Sequence, residues 1–479
     1  MGKTKPEVWV EVEVERAGAK GVGIAHTEEG QVVFIKGGIP GDRVRAKVIK
    51  RKKQYLEAVL ENVLRASTQR IVPPCPHFGV CGGCSWQQMA YSEQLIWKER
   101  EVLDHLQRLG GIEPLEREAI LAAPEPYGYR NKLEFSFASE RWFTTEELRH
   151  PDLPTERRSL GFHAPGRWDK VLHIESCLLQ ADPSNALRRF VHDFALERGW
   201  SYYHPRNKTG FLRTLTLRMD RSGRIMLIFQ AAENRKTDLL ELVEALAAEF
   251  PGIASVWWSY NPGNHDSVYA LDLEHLFGAE ALEETMPDYR GGEPLRFRIG
   301  PKSFYQTNSV QAAALYRIAL DFAQIEADSL VYDLYTGTGT LALFAARVAG
   351  KVVGIEGVEA AVEDARNNAR LNGIDNAVFF AGDMRKVLNA EWIDQQGRPS
   401  VVITDPPREG MHPDVLQSLL DMRPDRIVYV SCNSATQARD LAVLCEAYEL
   451  TRLRAVDMFP QTAHVESVAL LSRKPEFSN

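Results

Sequence analysis

Apolar positions along the chain follow three successive patterns. In the first, short runs alternate with polar residues at 8–16, 21–26, 31–35, 43–50 and 56–64, punctuated by Glu-Gly and Gly-Gly-Ile-Pro-Gly-Asp. Alternation with period two between glycine and proline turns predicts strands. Several short strands at this spacing predict a small β-barrel of the oligonucleotide-binding type over residues 1–66. Helical spacing then appears at 91–109 and stops at Gly110-Gly111. Between Tyr127 and Arg298, strands at 132–138, 212–219, 224–230 and 255–260 mix with helices at 185–198 and 237–249. With no internal repeat, this predicts a central α+β domain over 67–300.

From Ser309 onward strand and helix alternate. Helices are predicted at 310–322, 340–349, 359–372 and 435–447, and strands at 330–334, 351–356, 377–381, 401–405 and 426–431. This predicts a doubly wound α/β domain with a mainly parallel sheet over 301–479. Several domains are also what length requires, since 479 residues exceed the roughly 300 at which single cores stop growing.

Composition adds exclusions. The chain is 44% hydrophobic and 25% charged, and no apolar run approaches the roughly 18 residues that span a bilayer. The start, MGKTKPEVWVEVEVE, lacks the basic and continuously apolar stretch of a secretory signal, so a cytoplasmic protein is expected. A net charge of -8 does not advertise a polyanionic partner. Locally the balance reverses: up to Ala66 there are 13 Lys/Arg against 9 Asp/Glu, with seven of the cations between Arg43 and Lys53. Such a stripe suits nucleic acid and suits a solvated strand face equally well.

Two motif groups carry chemistry. VYDLY runs into TGTGT and LALFAARVA, so Gly337 and Gly339 make a tight turn between strand and helix. Alone, this loop would also pass for a dinucleotide fingerprint. Glu356, Asp383 and Asp405 stand at successive strand ends beyond it, where ligands of such folds bind. Any one of them is more often a solvated acid; together they should meet in one crevice. The order D-x-x-x-G-x-G, acid, acid, D-P-P resembles an S-adenosylmethionine-dependent methyltransferase rather than a dehydrogenase. Cys432, in IVYVSCNSATQARDL, ends a strand just before a helix whose dipole favours thiolate. Glu466, in QTAHVESVALL, is an acid in a β-like apolar segment, either an edge-strand charge or a general base. Cys445 sits on an apolar helix face and reads as core.

The remaining cysteines form a second group. In CPHFGVCGGC, Cys75, Cys81 and Cys84 are separated by five and then two residues, which favours metal binding. With Cys432 and Cys445 set aside, Cys177 in HIESCLLQ is the candidate fourth ligand. Spacing alone does not separate zinc from an iron-sulfur cluster.

Taken together, FYQTNS, DLYTGTG, DPPREG, VYVSCN and HVES resemble the RNA 5-methyluridine methyltransferase family, specifically its 23S ribosomal RNA branch, over nearly the whole chain. The resemblance implies Cys432 as nucleophile toward carbon 6 of a uracil and Glu466 as the base that removes the carbon 5 proton. It implies a methyl-donor site of Gln306, Tyr335, Thr340, Glu356, Asp383 and Asp405, although Thr340 stands where relatives often carry Asn. Arg408 after D-P-P sets the chain apart from amino-methyltransferases, which place an aromatic residue there. It further implies a structural 4Fe-4S cluster on Cys75, Cys81, Cys84 and Cys177, and an N-terminal TRAM domain whose basic strands beside Tyr55 follow RNA phosphates. Arg130, Lys132 and Arg213 are candidate phosphate contacts. The expected partner is 23S ribosomal RNA presenting a flipped or single-stranded uridine to a monomeric enzyme. Transfer RNA is the alternative substrate. A non-catalytic RNA-binding protein and an NAD-dependent oxidoreductase are the readings from other classes.

Overall fold

The computed structural model describes residues 7–149, 151–263, 267–288 and 290–477. At the N-terminus, six strands form one sheet in the order Trp9–Glu13, Arg43–Arg51, Tyr55–Arg65, Val32–Lys36, Gly23–His26, Arg16–Ala17. The period-two pattern places Val12, Val33, Ile35, Val44, Ala46 and Leu56 on one buried face. The expected first strand at 8–16 is two strands. Val14 leaves the ladder to exchange bonds with the turn at Gly41 and Asp42 (2.8 Å each), and Arg16–Ala17 turns to pair with Gly23–His26.

An eight-stranded central sheet follows, with Leu212–Met219 and Ile225–Ala231 at its middle. These two strands are buried on almost every residue, and the helices Ser184–Glu197 and Lys236–Glu249 contribute Leu187, Val191, Leu239 and Leu242 to the same core.

The C-terminal sheet also has eight strands, in the order Ala377–Ala381, Lys351–Glu356, Leu330–Leu334, Val401–Thr404, Arg426–Ser431, Glu466–Arg473, Tyr448–Val456, Glu116–Leu121. The first five are mutually parallel. Glu466–Arg473 is inserted antiparallel between its two neighbours. Dinucleotide-binding folds keep the order 3-2-1-4-5-6; here a returning hairpin breaks it. The edge strand Glu116–Leu121, within the stretch assigned to the central domain by sequence, pairs in parallel with Tyr448–Val456. Its neighbour, the helix Tyr91–His105, buries Val102 in the same C-terminal core. Residues 91–121 therefore pack with the C-terminal unit, because their apolar face matches that sheet and local periodicity does not report which sheet a strand joins. Among the described residues no helix is long and apolar enough to cross a membrane.

The same helix carries Lys98, which is wholly buried and paired at 2.5 Å with the equally buried Asp457. Its ammonium also donates to the Phe459 carbonyl (3.1 Å) and lies 6.0 Å from the Trp86 ring centre. Removing one member of such a pair strands the other charge away from water. Lys98→Met should cost about 3–5 kcal/mol in denaturant unfolding. Lys98→Met combined with Asp457→Asn should cost clearly less, because no bare charge remains.

Candidate active site and cysteine cavity

Cys432 follows Arg426–Ser431, and Glu466 begins Glu466–Arg473. The two strands run antiparallel with Ser431 opposite Ser467, so the end of one and the start of the other lie at the same edge of the sheet. Val401–Thr404, parallel to Arg426–Ser431, brings Asp405 to that edge as well. The loop after Asp405 is tied back by Asn433 Nδ2 and Thr436 Oγ1, which both donate to the Arg408 carbonyl (2.8 and 3.1 Å). The Arg408 guanidinium is near enough to Cys432 to favour its thiolate.

Electrostatics here oppose the expected thiolate. Burial, then the charges of Glu466 and Asp405, push the Cys432 thiol up to about 11, with Arg408 pulling the other way. The helix expected to favour thiolate begins at Ser434 with Asn433 as its cap, and its dipole is outweighed by two acids and by desolvation. Glu466 is only 5% exposed. Burial and then Asp405 raise it well above the usual carboxylate range, again against Arg408. Asp405 is raised by burial and by Asp333. Glu466 and the thiol thus share one guanidinium, and the neighbouring carboxyl groups of Glu466 and Asp405 lose their protons in steps.

Beside this group lies a narrow crevice lined by Gln306, Tyr335, Thr340 and Asp405, four of the residues expected at a donor site. Its enclosed part measures about 50 Å³, against the roughly 300 Å³ or more of typical small-molecule sites. A larger ligand must therefore use the open rim. Glu356 stands on that rim, accepting from the amides of Gly337 (3.1 Å) and Val358 (3.0 Å). Tyr335 takes a left-handed conformation (φ 63°) to turn the chain out of its strand. Gly339 (φ 83°) has no room for a side chain, since a Cβ would stand 2.9 Å from that of Ala365. Asp383 caps the helix Met384–Val387 and pairs with Arg385.

One lining residue, Tyr316, carried no sequence signal, and Asp333 was legible only as the first residue of D-x-x-x-G-x-G. Tyr316 is hidden in an apolar helix face, yet its hydroxyl meets Gln306. Asp333 is fully buried, accepts from Thr336 Oγ1 (2.6 Å), and is pushed up to about 7 mainly by burial. The segment before Glu466 is also fixed from outside. Gln94 and Gln461 bond each other reciprocally at 3.0 Å, and the amides of Ser85 and Trp86 both donate to the Gln461 carbonyl (2.9 and 3.1 Å).

Those two residues directly follow Cys84. Cys75, Cys81, Cys84 and Cys177 do converge, lining one cavity of about 360 Å³. Burial pushes the Cys81 and Cys84 thiols up to about 11 and about 12. Among the described residues, however, no group of three or more ligands stands ready to hold a single metal ion.

The proposed RNA contacts divide. Arg213 is buried, donates to the carbonyls of Asn261 (3.1 Å) and Gly263 (2.6 Å), and stacks on Tyr203, so it holds the domain together rather than facing RNA. Its strand is covered on both faces, which a basic residue in the sequence does not reveal. Lys132 is half-buried, and burial with nearby Arg218 lowers its pKa. Arg130 lines the cysteine cavity and lies 5.8 Å from the Phe459 ring centre. In the N-terminal sheet, Arg45, Lys47 and Lys50 pair with Glu61, Glu7 and Glu57. Arg51, Lys52 and Lys53 remain exposed at the hairpin turn.

Comparison with known proteins agrees with this arrangement. The family described as tRNA (Uracil-5-)-methyltransferase matches residues 276–474, and the TRAM domain matches residues 9–60. The chain is 46% identical to an uncharacterized RNA methyltransferase of Bacteroides thetaiotaomicron, over 95% of this chain and 99% of that protein. It is 44% identical to one of Porphyromonas gingivalis, over 97% and 100%. A crystal structure of Pyrococcus abyssi tRNA (uracil-54, C5)-methyltransferase with S-adenosyl-L-homocysteine superimposes with a TM-score of 0.74 at 27% identity, covering 96% of this chain and 100% of that one. The chain belongs to the RNA methyltransferases, as an enzyme of their uracil-5 family with an N-terminal TRAM domain.

Proposed function

We propose that this enzyme methylates carbon 5 of a uridine in 23S ribosomal RNA, working as a monomer in the cytoplasm. The observation that carries the chemistry is the meeting of Cys432, Glu466 and Asp405 at one sheet edge beside the donor crevice. Carbon 5 of uracil becomes nucleophilic once a thiolate adds to carbon 6 and the ring electrons move into an enolate. Cys432 supplies that thiolate, with Arg408 as the cation that lowers the cost of forming it. Carbon 5 then takes up the methyl group. Glu466 removes the carbon 5 proton, the ring double bond reforms, and the bond from carbon 6 to sulfur breaks to release Cys432. Glu466 must be ionised to do this, which the acid pair permits when Asp405 keeps its proton.

S-adenosylmethionine supplies an electrophilic methyl group on a sulfonium. Gln306, Tyr335, Thr340 and Asp405 would hold it in the crevice, with Glu356 at the ribose on the rim and Asp383 beyond. Arg51, Lys52 and Lys53 are suited to RNA phosphates. The target base has to leave its stack to reach a half-buried thiol.

The four cysteines fit a 4Fe-4S cluster better than zinc. A single ion needs its ligands close around one point, whereas a cube of iron and sulfide keeps its thiolates further apart and needs a cavity between them. Among the described residues the four cysteines line such a cavity, and no group of three or more ligands has single-ion spacing. The cluster would tie the Cys75–Cys84 loop to Cys177 and takes no part in methyl transfer.

A transfer RNA substrate is the second reading, favoured by the description of the matching family. Supplying unmodified 23S ribosomal RNA and transfer RNA separately should yield 5-methyluridine in the ribosomal RNA. Methylation of transfer RNA alone would reverse the assignment. Cys432→Ala should abolish product, while Glu466→Gln should accumulate a covalent protein-RNA adduct visible on a denaturing gel. Because the thiol is raised to about 11, alkylation of Cys432 by iodoacetamide should quicken as pH rises from 7 to 10. Arg408→Ala should slow it at every pH in that range, by mass spectrometry of the Cys432 peptide. An unchanged rate would contradict the role given to Arg408.

A further inference from the structure

Around the cysteine cavity stand two arginines, Arg188 and Arg130, that make no ion pair among the described residues. Arg188, on the helix Ser184–Glu197, is fully buried. Its Nη2 donates to the Glu175 carbonyl (2.7 Å), but Nε and Nη1 have no hydrogen-bond partner. No carboxylate lies within 4.0 Å of it among the described residues; its acidic neighbours Glu175 and Asp193 point to solvent. The charge of Arg188 does act on Cys177. Arg130 lines the cavity itself, acts on Cys177 too, and has an unpartnered buried Nε. A buried guanidinium without a counter-charge is costly and persists where an anion completes the site.

The local frame is built around these groups. Asn185, one turn before Arg188, clasps Cys177 through both its amide (2.8 Å) and its carbonyl (3.1 Å). The Glu175 amide donates to His77 Nε2 (2.9 Å), on the loop between Cys75 and Cys81. Arg188 therefore braces the point at which the two cysteine-bearing segments are stapled. Four thiolates carry more negative charge than the metal core they hold neutralises, so the loaded centre is an anion.

We infer that Arg188, assisted by Arg130, is the counter-ion of an anionic four-thiolate metal centre and sets its charge state. This rests on the cluster reading above. Both are positioning residues, since they would act through the cysteines. A reduced cluster carries one more electron, and hence one more negative charge, than an oxidised one. A nearby cation thus favours reduction.

The test uses the full-length protein purified without oxygen, reduced stepwise with dithionite, and followed by visible absorption and electron paramagnetic resonance. Arg188→Gln keeps a donor for the Glu175 carbonyl and loses the charge, whereas Arg188→Lys keeps the charge. The glutamine variant should show a more negative reduction potential and faster loss of iron to a chelator, and the lysine variant should stay near wild type. Arg130→Gln should shift the potential in the same direction. Equal potentials and iron retention in wild type and Arg188→Gln would overturn the inference while leaving the cluster in place. Wild-type protein without iron and sulfide would overturn the cluster reading, and the inference with it. Should Arg188→Gln not fold in the loaded protein, the Cys75→Ser background decides: with no anionic centre, the same replacement should raise the melting midpoint there. A lowered midpoint would reject the counter-ion role.

Discussion

The antiparallel register that sets Ser431 opposite Ser467 is the constraint on which the site depends. In a sheet of parallel strands, every carboxyl end lies at one edge and every amino end at the other. A residue at the start of a parallel strand would stand a full strand length from Cys432. Inserting Glu466–Arg473 in the opposite direction brings a strand start to the active edge. Glu466 and Cys432 then meet without a long loop to carry either. Because Ser431 and Ser467 pair on the ladder, the residues next to them, Cys432 and Glu466, are kept near one another by backbone hydrogen bonds, and with them the crowding of charge that raises both groups.

That register needs the hairpin to return at the right height, and the chain supplies bracing from a distant part of the sequence. Lys98 holds Asp457 and the Phe459 carbonyl, Gln94 holds Gln461, and Asn308 Nδ2 donates to the Met458 carbonyl (3.0 Å). The segment leaving Cys84 adds the amides of Ser85 and Trp86. The cysteine loop is thereby continuous with the support of Glu466, so the cluster proposed there would steady the site without taking part in its chemistry. Arg130 lies between the two, against Phe459 on one side and the cavity on the other.

The methyltransferase sheet was the most legible part of the sequence. Strands at Leu330–Leu334, Lys351–Glu356, Ala377–Ala381 and Arg426–Ser431 have the expected bounds, because mostly buried parallel strands read as dense apolar runs between glycine and acidic ends. Pairing was not legible. EREAIL, at Glu116–Leu121, says nothing of its partner more than 330 residues later. Residue type marked Cys432, Asp405 and the four cysteines, but charge state depends on neighbours brought by other strands, so the help toward thiolate expected from helix polarity is outweighed by burial and by Glu466 and Asp405. Arg188 and Lys98 look like ordinary surface charges of amphipathic helices. Only packing shows that both are buried.

A covalent bond between Cys432 and carbon 6 of the target base is the central claim, and 5-fluorouridine tests it directly. Fluorine at carbon 5 leaves Glu466 no proton to remove once the methyl group has arrived, so elimination stops. RNA carrying this base, incubated with S-adenosylmethionine and the wild-type enzyme, should give a stable adduct. Digestion and mass spectrometry should place a methylated fluorouridine on the peptide containing Cys432. Turnover without an adduct, or an adduct on another residue, would contradict the account.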